Sequence, residues 1–125
     1  MAYAGRYVRN TPLIGVELYM LNDRILQQVT SSILEVANPK KIIVFGSYAR
    51  KEADEDSDLD LLVIEQGEVD RGKEMVKIRN AIGDVGIGVD VIVCSEAYVN
   101  EWRHVRNTLI HQALKEGKTL YEKSA

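Results

Sequence analysis

The sequence predicts a single mixed α/β domain, a small mixed β-sheet flanked by helices. Three observations carry this. The chain has 125 residues, room for one core and no second lobe. Short β-branched runs, KIIVF, DLDLLVIE and IGVDVIVC, alternate with stretches whose apolar residues recur every three or four positions, the pattern of strands interleaved with amphipathic helices. Hydrophobic residues make up 46% and charged residues 28%, ordinary soluble usage that excludes a disordered tail, a collagen-like repeat or a coiled-coil rod.

The first dozen residues carry no structural signal. From about Glu17, Leu18, Leu21, Ile25, Val29 and Ile33 lay an apolar stripe along a long helix. Asn38-Pro39 stops it, because the residue before proline is pushed out of the helical region. Lys41–Phe45 follows as a buried strand ended by Gly46, and residues 47–53 allow one or two helical turns. After the acidic loop Asp54-Glu55-Asp56-Ser57, residues 58–65 form a second strand. Residues 70–82 form a helix with Met75, Ile78 and Ile82 on one face, and residues 87–94 a third strand. Residues 95–116 read as helix with a break near His104. Gly117 ends it, and residues 118–122 suit an edge strand.

Composition also limits function. Sixteen Lys plus Arg against nineteen Asp plus Glu leave a net charge of -3, without the basic excess that proteins use against nucleic acid phosphates. One cysteine and two histidines supply neither a disulfide framework nor a four-ligand zinc site, so a catalytic metal must be held by oxygen. The longest apolar runs are four residues, far short of the roughly 20 of a spanning helix, and the N-terminus lacks a signal peptide's apolar stretch. A cytoplasmic protein with no membrane segment is the expectation.

Asp58 and Asp60 stand two apart on the second predicted strand, so the pleat turns both to one side. Two such carboxylates repel, and a divalent cation relieves them. Magnesium suits the pair, since it takes one or two carboxylates and fills its other positions with water and phosphate oxygens. Asp90 interrupts the third strand's apolar run, where a lone buried carboxylate would be expensive. With the two strands adjacent, Asp58, Asp60 and Asp90 form a cluster able to hold two metal ions. Upstream, Gly46-Ser47 closes a strand and opens a short helix, a place where backbone N–H groups meet a phosphate and glycine lets it come close.

Other acids, glycines and rings have simpler readings. Glu52, Asp54, Glu55 and Asp56 read as a solvated loop. The acids at 54, 56, 58, 60 and 65 match EF-hand spacing, but the required glycine is Leu59, and strand residues stand where a helix should leave. Gly83, Gly86 and Gly88 read as a turn, Cys94 as an apolar filler, His104 and His111 as surface residues, and Tyr98 and Trp102 as core or interface.

Gly46-Ser47-Tyr48-Ala49-Arg50, Glu52-Ala53 and Ser57-Asp58-Leu59-Asp60-Leu61-Leu62-Val63, with Asp90, together resemble the DNA polymerase β-like nucleotidyltransferases, and among them the minimal nucleotidyltransferases. The resemblance implies the nucleotidyltransferase fold, catalytic Asp58, Asp60 and Asp90 holding two Mg2+ ions, and Gly46, Ser47 and Arg50 on the nucleotide, with a structural role the alternative for Arg50. It implies attack of a hydroxyl on the α-phosphorus of ATP with loss of pyrophosphate. Where the family pattern has glycine after the arginine, this chain has Lys51. Minimal members of the family work beside a helical HEPN-domain toxin, in some cases by adding AMP to it. The first expectation is therefore an Mg-dependent protein adenylyltransferase acting as the antitoxin of such a pair. The alternatives are a non-catalytic antitoxin acting by contact, or a small-molecule nucleotidyltransferase completed by homodimerisation.

Overall fold

The computed structural model describes residues 14–54 and 56–124, with side chains from residue 23 onward. Leu18, Leu21, Pro12 and Glu55 therefore fall outside the described side chains. The elements run α1 (Ile14–Val36), β1 (Lys41–Phe45), a 3-10 turn (Gly46–Tyr48), β2 (Leu59–Glu65), α2 (Arg71–Ile82), β3 (Val89–Ser95), α3 (Glu96–Trp102), α4 (Leu109–Glu116) and β4 (Lys118–Glu122). No helix among the described residues is long and apolar enough to cross a membrane.

The four strands form one mixed sheet in the order β3-β2-β1-β4. β1 pairs antiparallel with β2 and β4, while β2 and β3 run parallel with Leu59 opposite Val89 and Asp60 opposite Asp90. The parallel pair needs a crossover, and α2 supplies it. Its start is set by Asp70, whose carboxylate accepts the Lys73 N–H at 3.2 Å.

Strand alternation sends Leu59, Leu61, Val63, Val91 and Val93 to one face, where they pack against Ile25, Val29 and Ile33 of α1 and Ile78 and Ile82 of α2. Leu62, Ile64 and Cys94 face the other way and meet Val99 of α3 and Ile110 and Ala113 of α4. β2 is thus covered on both faces, which explains its nearly unbroken apolar sequence. Pro39, fully buried, fixes the corner between α1 and β1.

The predicted break in the last helical stretch is real and spans 103–108. No proline or glycine makes it. Asn107 takes a left-handed conformation (φ 65°), which asparagine tolerates better than most residues. Thr108 then caps α4 by accepting the His111 N–H at 3.2 Å, and the His111 ring meets the Arg103 carbonyl at 2.8 Å. Residues 47–53, expected to give one or two helical turns, give a single 3-10 turn followed by a hydrogen-bonded turn.

At the end of β2 away from Gly46, Glu65 lies beside Glu74, whose carboxylate is paired with Lys77 at 2.9 Å. Burial, then a hydrogen bond and the charge of Glu74, push the Glu65 carboxyl from its ordinary 4.5 up to about 7. The folded state therefore favours protonated Glu65. Its stabilising contribution is complete below pH 4.5 and is lost as pH rises through about 7. Glu65→Gln, which keeps a neutral side chain at every pH, is expected to melt close to the parent near pH 5 and several degrees above it near pH 8. Thermal melts across that range check this, and a pH-independent difference refutes it.

Candidate active site

The end of β1, the start of β2 and the start of β3 bring Gly46, Ser47, Asp58, Asp60 and Asp90 to one edge of the sheet. Asp60 lies within β2, opposite Phe45 on one side and Asp90 on the other. Asp58 was expected on the strand; it stands just ahead of it, because the ladder begins where the Leu59 N–H donates to the Gly88 carbonyl at 2.8 Å.

The two carboxylates lean to different neighbours instead of lying side by side. That of Asp60 fills the space a side chain at Gly46 would need, and that of Asp58 fills the space beside Gly88. Gly46 also has a positive φ of 72°, a conformation glycine adopts without penalty. Burial first, then the charges of Asp90 and Asp58, raise the Asp60 carboxyl above the ordinary carboxylate value. Like charge therefore bears on Asp60 from both Asp90 and Asp58. Among the described residues, however, no three acids, histidines or cysteines are drawn together tightly enough to hold an ion as they stand.

Asp90 departs from expectation in one respect. Its side chain is 58% exposed because β3 takes the edge of the sheet, so the expected cost of burying it does not arise. Its partner is Arg79 of α2, 3.8 Å away. Asp58, Asp90 and Arg79 share a cavity of about 380 Å³ whose floor includes Gly88. Asp60 leans toward Gly46 and does not line that cavity.

The turn after β1 is more committed than its sequence shows. The Gly46 N–H donates to Glu116 Oε1 at 3.1 Å, and Arg50 Nη1 donates to both Glu116 oxygens at 3.0 and 3.2 Å. Arg50 Nε donates to Glu52 at 2.7 Å. Arg50 is thus placed in ion pairs with two acids of its own chain, the arrangement of a brace between the turn and the end of α4. Burial works to raise the Glu116 carboxyl, but the Arg50 hydrogen bond and the Gly46 N–H together hold it below the usual carboxylate range. With Gly46 so engaged, the N–H groups of Ser47 and Tyr48 are the ones a short helical turn leaves at its open end.

Glu116 carries no local signal in the sequence, since its partners are 66 and 70 residues away. Its reach depends on Gly117, where a side chain would collide with the Ala113 carbonyl and with Ile43. Gly88, read from sequence as part of a turn, shapes the site by making room for Asp58. Lys51, where the family pattern has glycine, takes a left-handed conformation with φ 60°, at a cost of about 1–2 kcal/mol. His104 is exposed, and His111 serves the α3–α4 connection and not this site.

Residues 27–125 match the family described as Polymerase beta, Nucleotidyltransferase. Over 85 residues the chain is 38% identical to a Methanocaldococcus jannaschii protein named as a protein adenylyltransferase, an alignment covering 66% of this chain and 78% of that one. The fold is shared with a Sulfolobus solfataricus protein described as a nucleotidyltransferase, with a TM-score of 0.61 at 21% identity over 93% of this chain and 94% of that one. It is also shared with a chain of a toxin–antitoxin assembly crystallised with AMP-PNP, with a TM-score of 0.56 at 20% identity over 79% and 74% of the two chains.

Proposed function

This chain belongs to the polymerase β nucleotidyltransferase family, and we propose that it transfers AMP from ATP to a hydroxyl of a partner protein, as the antitoxin of a HEPN-type pair. The observation that supports the chemistry is the placing of Asp58, Asp60 and Asp90 at the same edge of the sheet as the Gly46-Ser47 turn. The 38% identical relative named as a protein adenylyltransferase supports a protein acceptor. The helical toxin as partner follows from the motif's resemblance to the minimal nucleotidyltransferases.

The donor set fits Mg2+. It consists of carboxylate oxygens, its neighbouring charges add to burial in raising Asp60, and the Asp58 and Asp90 side chains are exposed. Asp58, Asp60 and Asp90 would hold two ions, which when bound screen the triphosphate and stabilise charge on the departing pyrophosphate. In this reading Ser47 and the open N–H groups of its turn orient the phosphates. The acceptor oxygen forms a bond to the α-phosphorus, the bond from that phosphorus to pyrophosphate breaks, and the hydroxyl proton passes to an Asp90 carboxylate oxygen. Arg50, held by Glu52 and Glu116, fixes the shape of the turn.

Calorimetry with ATP is expected to show binding in the presence of Mg2+ and none in excess chelator, because three unscreened carboxylates repel the triphosphate. Intact-mass spectrometry of a co-expressed helical partner is expected to show added AMP. Equal ATP affinity in chelator overturns the metal reading. An unmodified partner that is still neutralised by an Asp58→Ala/Asp60→Ala double variant leaves only a contact antitoxin.

A further inference from the structure

Successive residues of β3 line two cavities of different character. The acidic one ends at Val91. A second, of about 330 Å³, begins at Ile92 and continues past Cys94, walled by Met75 of α2, Tyr98 and Trp102 of α3 and Leu109 of α4. Asp90, Ile92 and Cys94 alternate onto one face of the strand. The apolar groove therefore lies on the same face as Asp90, at about 7 to 13 Å from it along the strand.

The groove is open and two of its apolar walls are exposed: Leu109 is 47% exposed and Tyr98 37%. Its rim is basic. Arg71 lies over the Tyr98 ring, 5.4 Å from its centroid, and Arg103 and Arg106 are exposed in the connection to α4. Residues 102–114 contain no acid, in a chain whose net charge is -3. Arg71 Nε also donates to the Val93 carbonyl at 2.9 Å. That contact occupies part of the edge of β3 against an added strand, so an incoming chain is received by its side chains.

We propose that this groove docks the acceptor polypeptide, taking one large apolar or aromatic anchor residue with acidic neighbours that meet Arg71, Arg103 and Arg106. The distance from the groove to Asp90 places the hydroxyl to be modified about two to four residues from the anchor in an extended segment. A nucleobase is the less suited occupant, since it needs several polar partners and Thr108 is the groove's one hydroxyl besides Tyr98. The proposal rests on the reading that the acceptor is a protein.

The test uses synthetic peptides carrying one tyrosine, with a leucine stepped from the adjacent position outward and flanks of either glutamate or lysine. Each is incubated with the full chain, Mg2+ and ATP labelled at the α-phosphorus. Labelling is expected to peak when the leucine lies about two to four residues from the tyrosine, and glutamate flanks should exceed lysine flanks about tenfold. Leu109→Asp should raise the peptide KM about tenfold with ATP affinity unchanged, and the Arg103→Glu/Arg106→Glu variant should reverse the flank preference. Indifference to leucine position and flank overturns the proposal, as does a peptide KM unmoved by Leu109→Asp. Absence of any labelled peptide while ATP still binds overturns it too. Weakened ATP binding in Leu109→Asp would give the groove to the nucleotide, and loss of a dimer in that variant would give it to a second copy; either defeats the proposal. A parent chain that binds no ATP with Mg2+ defeats the nucleotidyltransferase chemistry itself, and the docking proposal with it.

Discussion

Asp60→Ala is expected to abolish nucleotidyl transfer and to leave the metal-free protein as stable as the parent or slightly more so. Asp60 sits between the Gly46 turn and Asp90, and its carboxyl is already raised by burial and by two neighbouring acids. Removing it relieves like-charge repulsion in the free protein, and the side chain lost is charged, so no apolar cavity opens in the core beneath. In the proposed reaction, transfer depends on that same charge. Its loss should cost at least the ~100- to 1000-fold that removing one preorganised electrostatic group costs an active site. Activity and stability should therefore move in opposite directions, or activity alone should move. Rate measurements with labelled ATP, paired with thermal melts in chelator, decide it. A large fall in melting temperature would show that Asp60 makes structural hydrogen bonds.

Much of the scaffold was legible because its signals are local. Lys41–Phe45 and Lys118–Glu122 match the observed strands residue for residue, since Pro39, Gly46 and Gly117 punctuate them in the sequence. The alternation of β2 fixed which residues meet α1 and α2. The placement of β3 was not legible: a run of Val, Ile and Asp90 looks buried on both faces, and only the strand order, a matter of which helix covers which edge, leaves Asp90 exposed. Nor was the divergence of Asp58 from Asp60, because it depends on two glycines, Gly46 and Gly88, from different parts of the chain. The motif located the acids, while the hold of Glu116 on Gly46 and Arg50 arises only when α4 folds back against β1.

Those two glycines provide an internally controlled experiment. At Gly46 a methyl group would face two obstacles: a backbone φ of 72° that L-residues rarely adopt, costing about 1–2 kcal/mol, and the Asp60 carboxylate, which is partly buried and held within β2. At Gly88 only the second kind of obstacle exists, and the Asp58 carboxylate it would meet belongs to an exposed side chain ahead of the strand. Asp58 can swing into solvent with little strain, whereas Asp60 must leave its rotamer or drag the strand. Gly46→Ala is thus expected to lower stability by about 2 kcal/mol or more, combining the backbone and steric costs, and to reduce transfer to background by displacing both the turn and Asp60. Gly88→Ala should melt close to the parent and lose activity only in part, through the altered direction of Asp58. Denaturant unfolding and labelled-ATP transfer on the two variants give the order directly. Equal effects on stability would mean that the left-handed turn at Gly46 adds nothing, and a Gly88→Ala variant with full activity would show that the orientation of Asp58 does not matter to the reaction.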